Sequence, residues 1–582
     1  MKLFKNILTV AALALVGALT VGCANSDNEP NDEQLPGAGR IVIMTTTLSF
    51  DSKAETRALT EDGTKTFAEN DQVAVIYVNT SNQYVKAVSQ KLKTTDISGE
   101  GKKATISVSL TDPKTGGQPV YFVYPASLAD ETQYKSLDTD FINLTELQDG
   151  QDGTFANIAQ WDAAKFSGTL TVTGTTAEVS TYETVMSNPL CIGKFTIKDG
   201  STPINNKITK LTVTTSVGPN TYTYTVKRTA SADAISVAMV PANYETITIT
   251  AYEGTDAYSK TVTGKQLEAS KIYPINVTAA FDPNATPLTF EALADVDSKG
   301  VFFHNHYSDD RPTDIDSKFD VEYSLNGGEW TKLEWADGND FRSKWVYLTK
   351  KGDKVAFRSN NKRGGKFIDL RCNLECAVYG NVMSLYNKEE FPTLKSITVE
   401  SAFEQLFYTA YGQDSYINDH ETKNIALPAT TLSSRCYAEM FYHCNNLTRT
   451  PELPAENLAA ACYTGMFRFC KKLATVPERL PATTLKNNCY SYMFSECINI
   501  TTAPVLPATK LLYNCYYEMF KSCSKLNSVT CLATEIASDA ENCTAGWLTG
   551  VASTGTLYRP EGSPLPSSSI PSGWSQVNYV AP

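Results

Sequence analysis

From about Arg40 to Phe281 the chain alternates apolar and polar residues at period two. Thr169-Leu170-Thr171-Val172-Thr173, Leu211-Thr212-Val213-Thr214, Tyr222-Thr223-Tyr224-Thr225-Val226 and Thr246-Ile247-Thr248-Ile249 are the clearest cases. Successive side chains of an extended strand point to opposite faces, so the pattern predicts strands buried on one side. Gly116-Gly117-Gln118-Pro119 and Glu253-Gly254-Thr255-Asp256 read as turns between them. Stacked antiparallel sheets are expected, with one helical interruption near Ala156 to Ala164. After the break Phe281-Asp282-Pro283-Asn284-Ala285-Thr286-Pro287, a second β unit covers residues 288–385. Its strongest element runs from Val321 to Trp330, with two arms around Asn326-Gly327, a pair suited to the positive φ angles of a tight hairpin. Lys354 to Phe357 adds another strand.

Beyond residue 386 the pattern becomes an internal repeat. Leu427-Pro428-Ala429, Leu453-Pro454-Ala455, Leu480-Pro481-Ala482 and Leu506-Pro507-Ala508 recur at intervals of 26, 27 and 26 residues. A second motif keeps step: Cys436-Tyr437, Met440-Phe441 and Cys444, then Cys462 to Cys470, Cys489 to Cys497 and Cys515 to Cys523 with the same spacing. Offsets 0, 1, 4, 5 and 8 are expected to share one face of a helical turn. Leu447, Leu473, Ile500 and Leu526 then open a short extended segment. Neither piece buries its apolar face alone, so stacking at roughly 4.8 Å per strand is expected to build a solenoid over residues 386–560. Ala402-Phe403 with Leu406-Phe407, and Cys543 with Trp547-Leu548, read as degenerate end units, and 561–582 as a C-terminal tail.

Two resemblances follow from these residues. Thr56-Arg57-Ala58, Phe67 to Ile76, Pro119 to Pro125, Asp152 to Ala159 and Val237 to Pro241, in that order, resemble the Bacteroidales fimbrillin-like proteins. That resemblance implies two tandem β-sandwich subdomains over 40–281 and a role in surface fimbriae or adhesion. It also implies that Arg57 stands where a trypsin-like protease removes the first strand of fimbrial subunits; the alternative is a surface arginine. The repeats, with the lead-in Tyr379 to Leu385, resemble the leucine-rich repeats of BspA-like surface proteins. The expected fold is therefore mostly β: a tandem β-sandwich, a second β-sandwich unit and a C-terminal leucine-rich-repeat α/β solenoid.

The first residues change the picture of where this chain works. Lys2 and Lys5 precede an apolar run from Ile7 to Val21, shorter than the roughly 20 residues a membrane-spanning helix needs. Residues 1–22 therefore read as a secretion signal. Thr20-Val21-Gly22-Cys23 resembles a bacterial lipobox, which implies a lipid on Cys23 and anchorage to a membrane. Residues 23–39, with Asp27, Glu29, Asp32 and Glu33, form an acidic flexible tether. They resemble the export signal of Bacteroidetes lipoproteins, which implies the outer face of the outer membrane.

Composition narrows the chemistry. Acids outnumber bases by 63 to 51, a net charge of -12 that repels nucleic-acid backbones. Histidine is limited to four residues, and no H-E-x-x-H, G-x-S-x-G or P-loop motif occurs, so a non-enzymatic chain without cofactors is expected. His304 and His306 with Asp309 and Asp310 are the best metal candidate by spacing, with a polar loop at a sheet edge as the plainer account. Asp149-Gly150-Gln151-Asp152-Gly153 reads as a turn, lacking the EF-hand glutamate and spacing. Trp330, Trp335 and Trp345 are either a platform for stacking on a sugar or core residues of the hairpin region. The repeat cysteines are expected to be buried, reduced thiols, with bridges between adjacent repeats as the alternative; Cys372 and Cys376 carry no assignment. Together these readings point to an adhesin or fimbria-associated protein whose partners are host or bacterial surface proteins, glycans or other fimbrial subunits. A glycan-binding lipoprotein and a polymerising subunit are the alternatives.

Overall fold

The computed structural model describes residues 40–50, 65–133, 140–180, 185–305, 320–336, 342–360, 368–410, 413 and 415–580. Cys23, Arg57, His306, Asp309 and Asp310 lie outside them. Among the described residues no helix is long and apolar enough to cross a membrane.

Period-two alternation becomes buried-face strands. Ile41–Phe50 sends Val42, Met44, Leu48 and Phe50 into a core and leaves Ile41 and Ile43 exposed. That strand lies inside the first sheet, antiparallel to Lys103–Thr111 and parallel to Thr176–Ser180 and Val185–Met186. Gly116-Gly117-Gln118-Pro119 is not a turn, as expected from sequence, but the start of strand Gly116–Tyr124. Pro119 opposes Thr169 there, and the second neighbour, Ala74–Val78, pairs only from Val120 onward. A proline that cannot donate is tolerated because the backbone ladder is interrupted on its other side, where Val78 donates to the Gln118 side chain and accepts from the Lys114 amide. The helical interruption is a single turn, Phe155–Ile158, capped by the Thr154 hydroxyl and followed by the 3-10 turn Ala159–Trp161.

A second sandwich follows. Cys191–Asp199, flanked by Ile235–Met239 and Ile272–Thr278, faces a sheet built on Lys210–Val217, Asn243–Glu253 and Asp256–Gln266. Phe195, Tyr224, Tyr244 and Ile249 fill the space between them. In the third unit Val321–Leu325 pairs with Thr331–Lys332 across the Asn326-Gly327 turn, where both residues have positive φ. Lys354–Ser359 pairs on its other side.

The repeats grow from this third unit. Strand Cys376–Asn381 pairs antiparallel with Leu288–Ala292 and parallel with Ile417–Asp419 and Ile425–Ala426, so the lead-in to the repeats is itself the first rung. Parallel bridges Asn418 to Asn446, Arg449 to Thr475 and Thr502 to Ser528 continue the stack. One apolar core extends from Leu288 to Trp574. The expected C-terminal tail is instead largely built in: Trp574–Asn578 adds a parallel strand to Gly555–Arg559, which pairs with Ser528–Thr530.

The expected helical face is corrected by the backbone. Arg435, Glu439 and His443 have positive φ at intervals of four, and Asn488, Tyr492 and Glu496 repeat the pattern. An α-helix of L-residues does not contain such angles. Alternate amides bond within the repeat, as from Met440 to Tyr437 O (3.3 Å) and Tyr442 to Glu439 O (3.0 Å). The others donate to the next repeat, as from Glu439 to Thr464 O (2.8 Å) and Phe441 to Met466 O (2.9 Å). The segment is thus a ladder of tight turns with a true period of four. Offsets 0, 1, 4, 5 and 8 still point inward, because each turn restores the same orientation.

Inside the ladder, Tyr437, Tyr463, Tyr490 and Tyr516 stack with ring centroids 5.7–6.1 Å apart. Phe441, Phe467, Phe494 and Phe520 do so at 5.4–5.7 Å. Phe403 and Phe407 continue the columns at one end and Trp547 at the other, so the degenerate units sit in register. The hydroxyls of Tyr437 and Tyr463 are buried with no hydrogen-bond partner among the described residues. A buried hydroxyl left unpaired carries a desolvation penalty. Tyr463→Phe is therefore expected to raise stability by about 1 kcal/mol, measured by denaturant unfolding; a loss of stability would show that the hydroxyl is paired.

An ionic joint links the second sandwich, the third unit and the repeats. Asp256, 1% exposed, accepts from Lys354 (2.8 Å), Lys423 (2.7 Å) and the Tyr379 hydroxyl (3.1 Å). That hydroxyl also reaches Glu291 at 3.1 Å. Beside it two hairpin tips touch: Gly254 and Gly327 both have positive φ, and a Cβ on Gly327 would stand 2.6 Å from the Cα of Gly254. The break at 281–287 is pinned as well, through Asp282 Oδ1 to the amide of Asn284 and Thr286 Oγ1 to the amide of Ala257.

Candidate functional site

The inward offsets are occupied alike in each repeat, so whatever differs between repeats lies on the outside. There the aromatic residues form a chain of contacts. Tyr408 stacks on Tyr442 at 4.9 Å, Tyr442 meets Phe469 edge-on at 5.4 Å, Arg468 lies 4.7 Å from the Tyr492 ring, and Tyr492 meets Tyr517 at 5.2 Å. All six side chains are half-buried. Each is held by a ring or cation from the adjacent repeat, which fixes its rotamer before any partner arrives. Burial is the largest influence raising the pKa of Tyr492, up to about 12, with its contact to Tyr517 next, and burial raises that of Tyr408. These phenols are neutral at physiological pH and present hydroxyl donors beside apolar rings.

At its Tyr408 end the ribbon enters a cleft of about 440 Å³ between the third unit and the first repeats. Phe302, Trp345, Arg371, Tyr408, Gln413 and Tyr416 line it. Trp345 comes from the edge of the short strand Val346–Tyr347, packs against Phe302 at 4.1 Å and has the Arg342 guanidinium 5.3 Å from its ring. Of the three tryptophans singled out by sequence, it alone lines this cleft. Trp330 is half-buried with Arg358 over its ring at 4.2 Å, and Trp335 is half-buried against the core. The three do not form one platform around this cleft.

No protein-family model matches this chain, and no curated protein matches it. Solved structures similar to part of it include two from Bacteroidales. One, named as a cell adhesion protein of Bacteroides fragilis, is 11% identical, with a TM-score of 0.20 over 40% of this chain and 88% of that one. The other, a fimbrial assembly protein of Parabacteroides distasonis, is 8% identical, with a TM-score of 0.20 over 40% of this chain and 89% of that one.

Of the metal candidate only His304 lies among the described residues. His304 Nδ1 lies 3.1 Å from Asp369, whose other oxygen is held by Arg371, and no group of three or more potential ligands occurs there. The repeat thiols are buried. All thirteen described cysteines are free, and burial pushes the thiols of Cys462 and Cys515 up to about 12. A repeat thiol in that state is held protonated at neutral pH and is a poor nucleophile. The offset-8 thiols do more than fill space. Cys470 donates to Phe441 O (3.1 Å), Cys497 to Phe467 O (3.0 Å) and Cys523 to Phe494 O (3.0 Å).

Sequence reasoning missed the ribbon because its members change column from repeat to repeat. Tyr442 and Arg468 stand six residues after their first cysteine, Phe469 seven, Tyr492 three and Tyr517 two. The usable signal was aromatic content at outward positions, whatever the column.

Proposed function

We propose that this chain is a non-enzymatic surface lipoprotein acting in adhesion, as a stand-alone adhesin or an accessory or tip component of a fimbria, with the repeat ribbon as its binding surface. Lipid on Cys23 would hold it to the outer membrane, facing outward. The observation that carries the reading is the ribbon itself, a pre-fixed row of tyrosine, phenylalanine and arginine side chains leading into an aromatic cleft. Tyrosine, tryptophan and arginine dominate binding energy at protein interfaces, and rigid side chains lose little entropy on association.

Beads coated with the full mature chain should adhere to epithelial monolayers. The triple variant Tyr442→Ser, Arg468→Ser, Tyr492→Ser should reduce adhesion more than about tenfold while the fold is retained. Equal adhesion by wild type and variant would sink the proposal. Loss of adhesion after periodate treatment of the cells, with no effect of the triple variant, would favour the glycan alternative through Trp345. Protease shaving of intact bacteria tests the outward location.

A second reading has its own observation. Excision of Ile41–Phe50 after cleavage at Arg57 would open a groove between Lys103–Thr111 and Thr176–Ser180, as a polymerising subunit requires. Against a repeating shaft, strand Trp574–Asn578 is already paired with Gly555–Arg559 and is not available to fill a neighbour's groove. Treatment with an arginine-specific protease should therefore give cleaved monomers; ladders of oligomers would establish the polymerising subunit.

A further inference from the structure

Thirteen cysteines are described, and one of them, Cys372, is not fully buried. It ends strand Ile368–Cys372 and lines the cleft beside Trp345 and Tyr408. Four residues later Cys376 begins strand Cys376–Asn381 with no exposed surface. The two cysteines flank the turn Asn373-Leu374-Glu375, and the Cys376 thiol is the largest influence raising the pKa of Cys372. No such thiol pair is formed within the repeat motif, where the offset-8 thiols point at phenylalanine carbonyls instead.

The turn between them is held from both sides. Asn373 Oδ1 accepts from the amide of Gly300 (2.9 Å), and the amide of Leu293 donates to Glu375 O (3.0 Å). The Glu375 carboxylate takes the side-chain amides of Asn418 and Asn446 from the first repeats. The two cysteines are thus held on either side of a turn whose backbone has little freedom to separate them, and the half-buried Cys372 lines the cleft.

We propose that Cys372 and Cys376 form a disulfide once the chain meets an exported thiol–disulfide oxidoreductase, while the repeat thiols stay reduced. The Cys372 thiolate attacks the oxidoreductase disulfide, forming a mixed disulfide and releasing one enzyme thiolate. The Cys376 thiolate then attacks the Cys372 sulfur and releases the second enzyme thiolate. Two electrons pass to the enzyme, and the two protons lost by the cysteines are taken up by its thiolates or by solvent. The neighbouring Cys376 thiol, then burial, raises the pKa of Cys372, so closure is slow unless catalysed. The repeat thiols lack both access and a facing thiol held across a turn. A closed bridge would tie the wall of the aromatic cleft to the first rung of the repeats.

Trypsin cuts after Arg371 and Lys388, so both sulfurs fall in the single peptide 372–388. The purified full-length protein is equilibrated with equal amounts of oxidised and reduced glutathione, quenched in acid, denatured, alkylated with iodoacetamide and digested. This peptide is expected to be two hydrogens lighter than its dithiol form and to resist alkylation until reduced, with every repeat cysteine alkylated. Alkylation of both its sulfurs overturns the proposal, as does a bridge from Cys372 to Cys444. In Cys376→Ala, Cys372 should carry glutathione or the alkyl group; a protein disulfide at Cys372 in that variant also overturns it. The same digest of protein trapped in intact bacteria tests export separately. A reduced peptide in cells with a closed one in glutathione would count against export alone, and the bridge would stand.

Discussion

Phe467→Ala is expected to destabilise the repeat stack by about 3–5 kcal/mol, the range for removing a buried aromatic from a packed core. Phe467 has no exposed surface and lies between Phe441 at 5.4 Å and Phe494 at 5.7 Å, with planes only 4° and 6° from parallel. Its removal takes two stacking contacts at once. The neighbouring turns cannot close the void, because their positions are set by amide-to-carbonyl bonds between repeats, such as Phe467 N to Met493 O at 2.9 Å. Denaturant unfolding followed by hydrogen exchange would measure the loss, and exchange should quicken in the repeats on both sides. The adhesion surface supplies the contrast. Tyr442→Ser, on a half-exposed ring, should cost far less stability while weakening adhesion. A loss below about 1 kcal/mol at Phe467 would mean that the columns do not carry the stack.

Asp256→Ala should be comparably severe, because it leaves Lys354 and Lys423 in the joint without their carboxylate. Breaking a buried ion pair by removing one partner costs about 3–5 kcal/mol. Burial alone would push the Asp256 carboxyl up, but Lys354 and Lys423 together outweigh it and hold the pKa below its usual value. A depressed carboxylate pKa contributes stability that is complete above the unfolded value of about 3.9 and is lost as pH falls through the folded value. Burial would lower Lys354, yet Asp256 outweighs it and its pKa is raised. That contribution is complete below the unfolded value of about 10.4 and is lost as pH rises through the folded one. The joint should therefore be strongest across the whole neutral range. His420, lowered first by burial and then by Lys423, should not add a transition above pH 7. Thermal melts from pH 2.5 to 7 should show an acid-sensitive component in wild type that is absent in Asp256→Asn. Identical acid profiles would remove Asp256 from the account.

Where a signal was local, it was legible. Alternation in Thr246-Ile247-Thr248-Ile249 specified a strand because side-chain direction there depends only on the neighbouring peptide units. Asn326-Gly327 specified a hairpin because few pairs accept two positive φ angles. The repeat spacing specified which residues face inward but not the backbone that aims them. Offsets 0, 1, 4, 5 and 8 fit a period of 3.6 nearly as well as a period of four, and the difference lies in amides that bond to another repeat. Gly116 to Pro119 was misread for a related reason: glycine and proline mark a turn only if no strand pairs alongside. The Asp256 joint was beyond reach, since Lys354 and Lys423 stand 98 and 167 residues away from it in sequence. Cys23 and Arg57 rest on sequence resemblance, and the tests of cell location and of cleavage bear on them directly.

Half of the turn ladder's amides point out of their own repeat. A unit excised alone would carry a row of donors with nothing to receive them, whereas a duplicated unit would arrive with carbonyls already spaced for its neighbour. Such a chain can lengthen by whole copies but not by single residues within the turns, where one extra residue would rotate every later side chain out of register; the extra residue of the 27-residue interval falls between Cys470 and Leu480, outside the turn ladder. These bonds run between backbone atoms, Phe469 and Tyr492 giving their amides to Ser495 O and Tyr517 O, so the outward side chains of Tyr442, Phe469 or Tyr492 can be exchanged without removing a bond from the frame. Heredity thus has two separate alphabets in this region, one that counts repeats and one that spells what they touch.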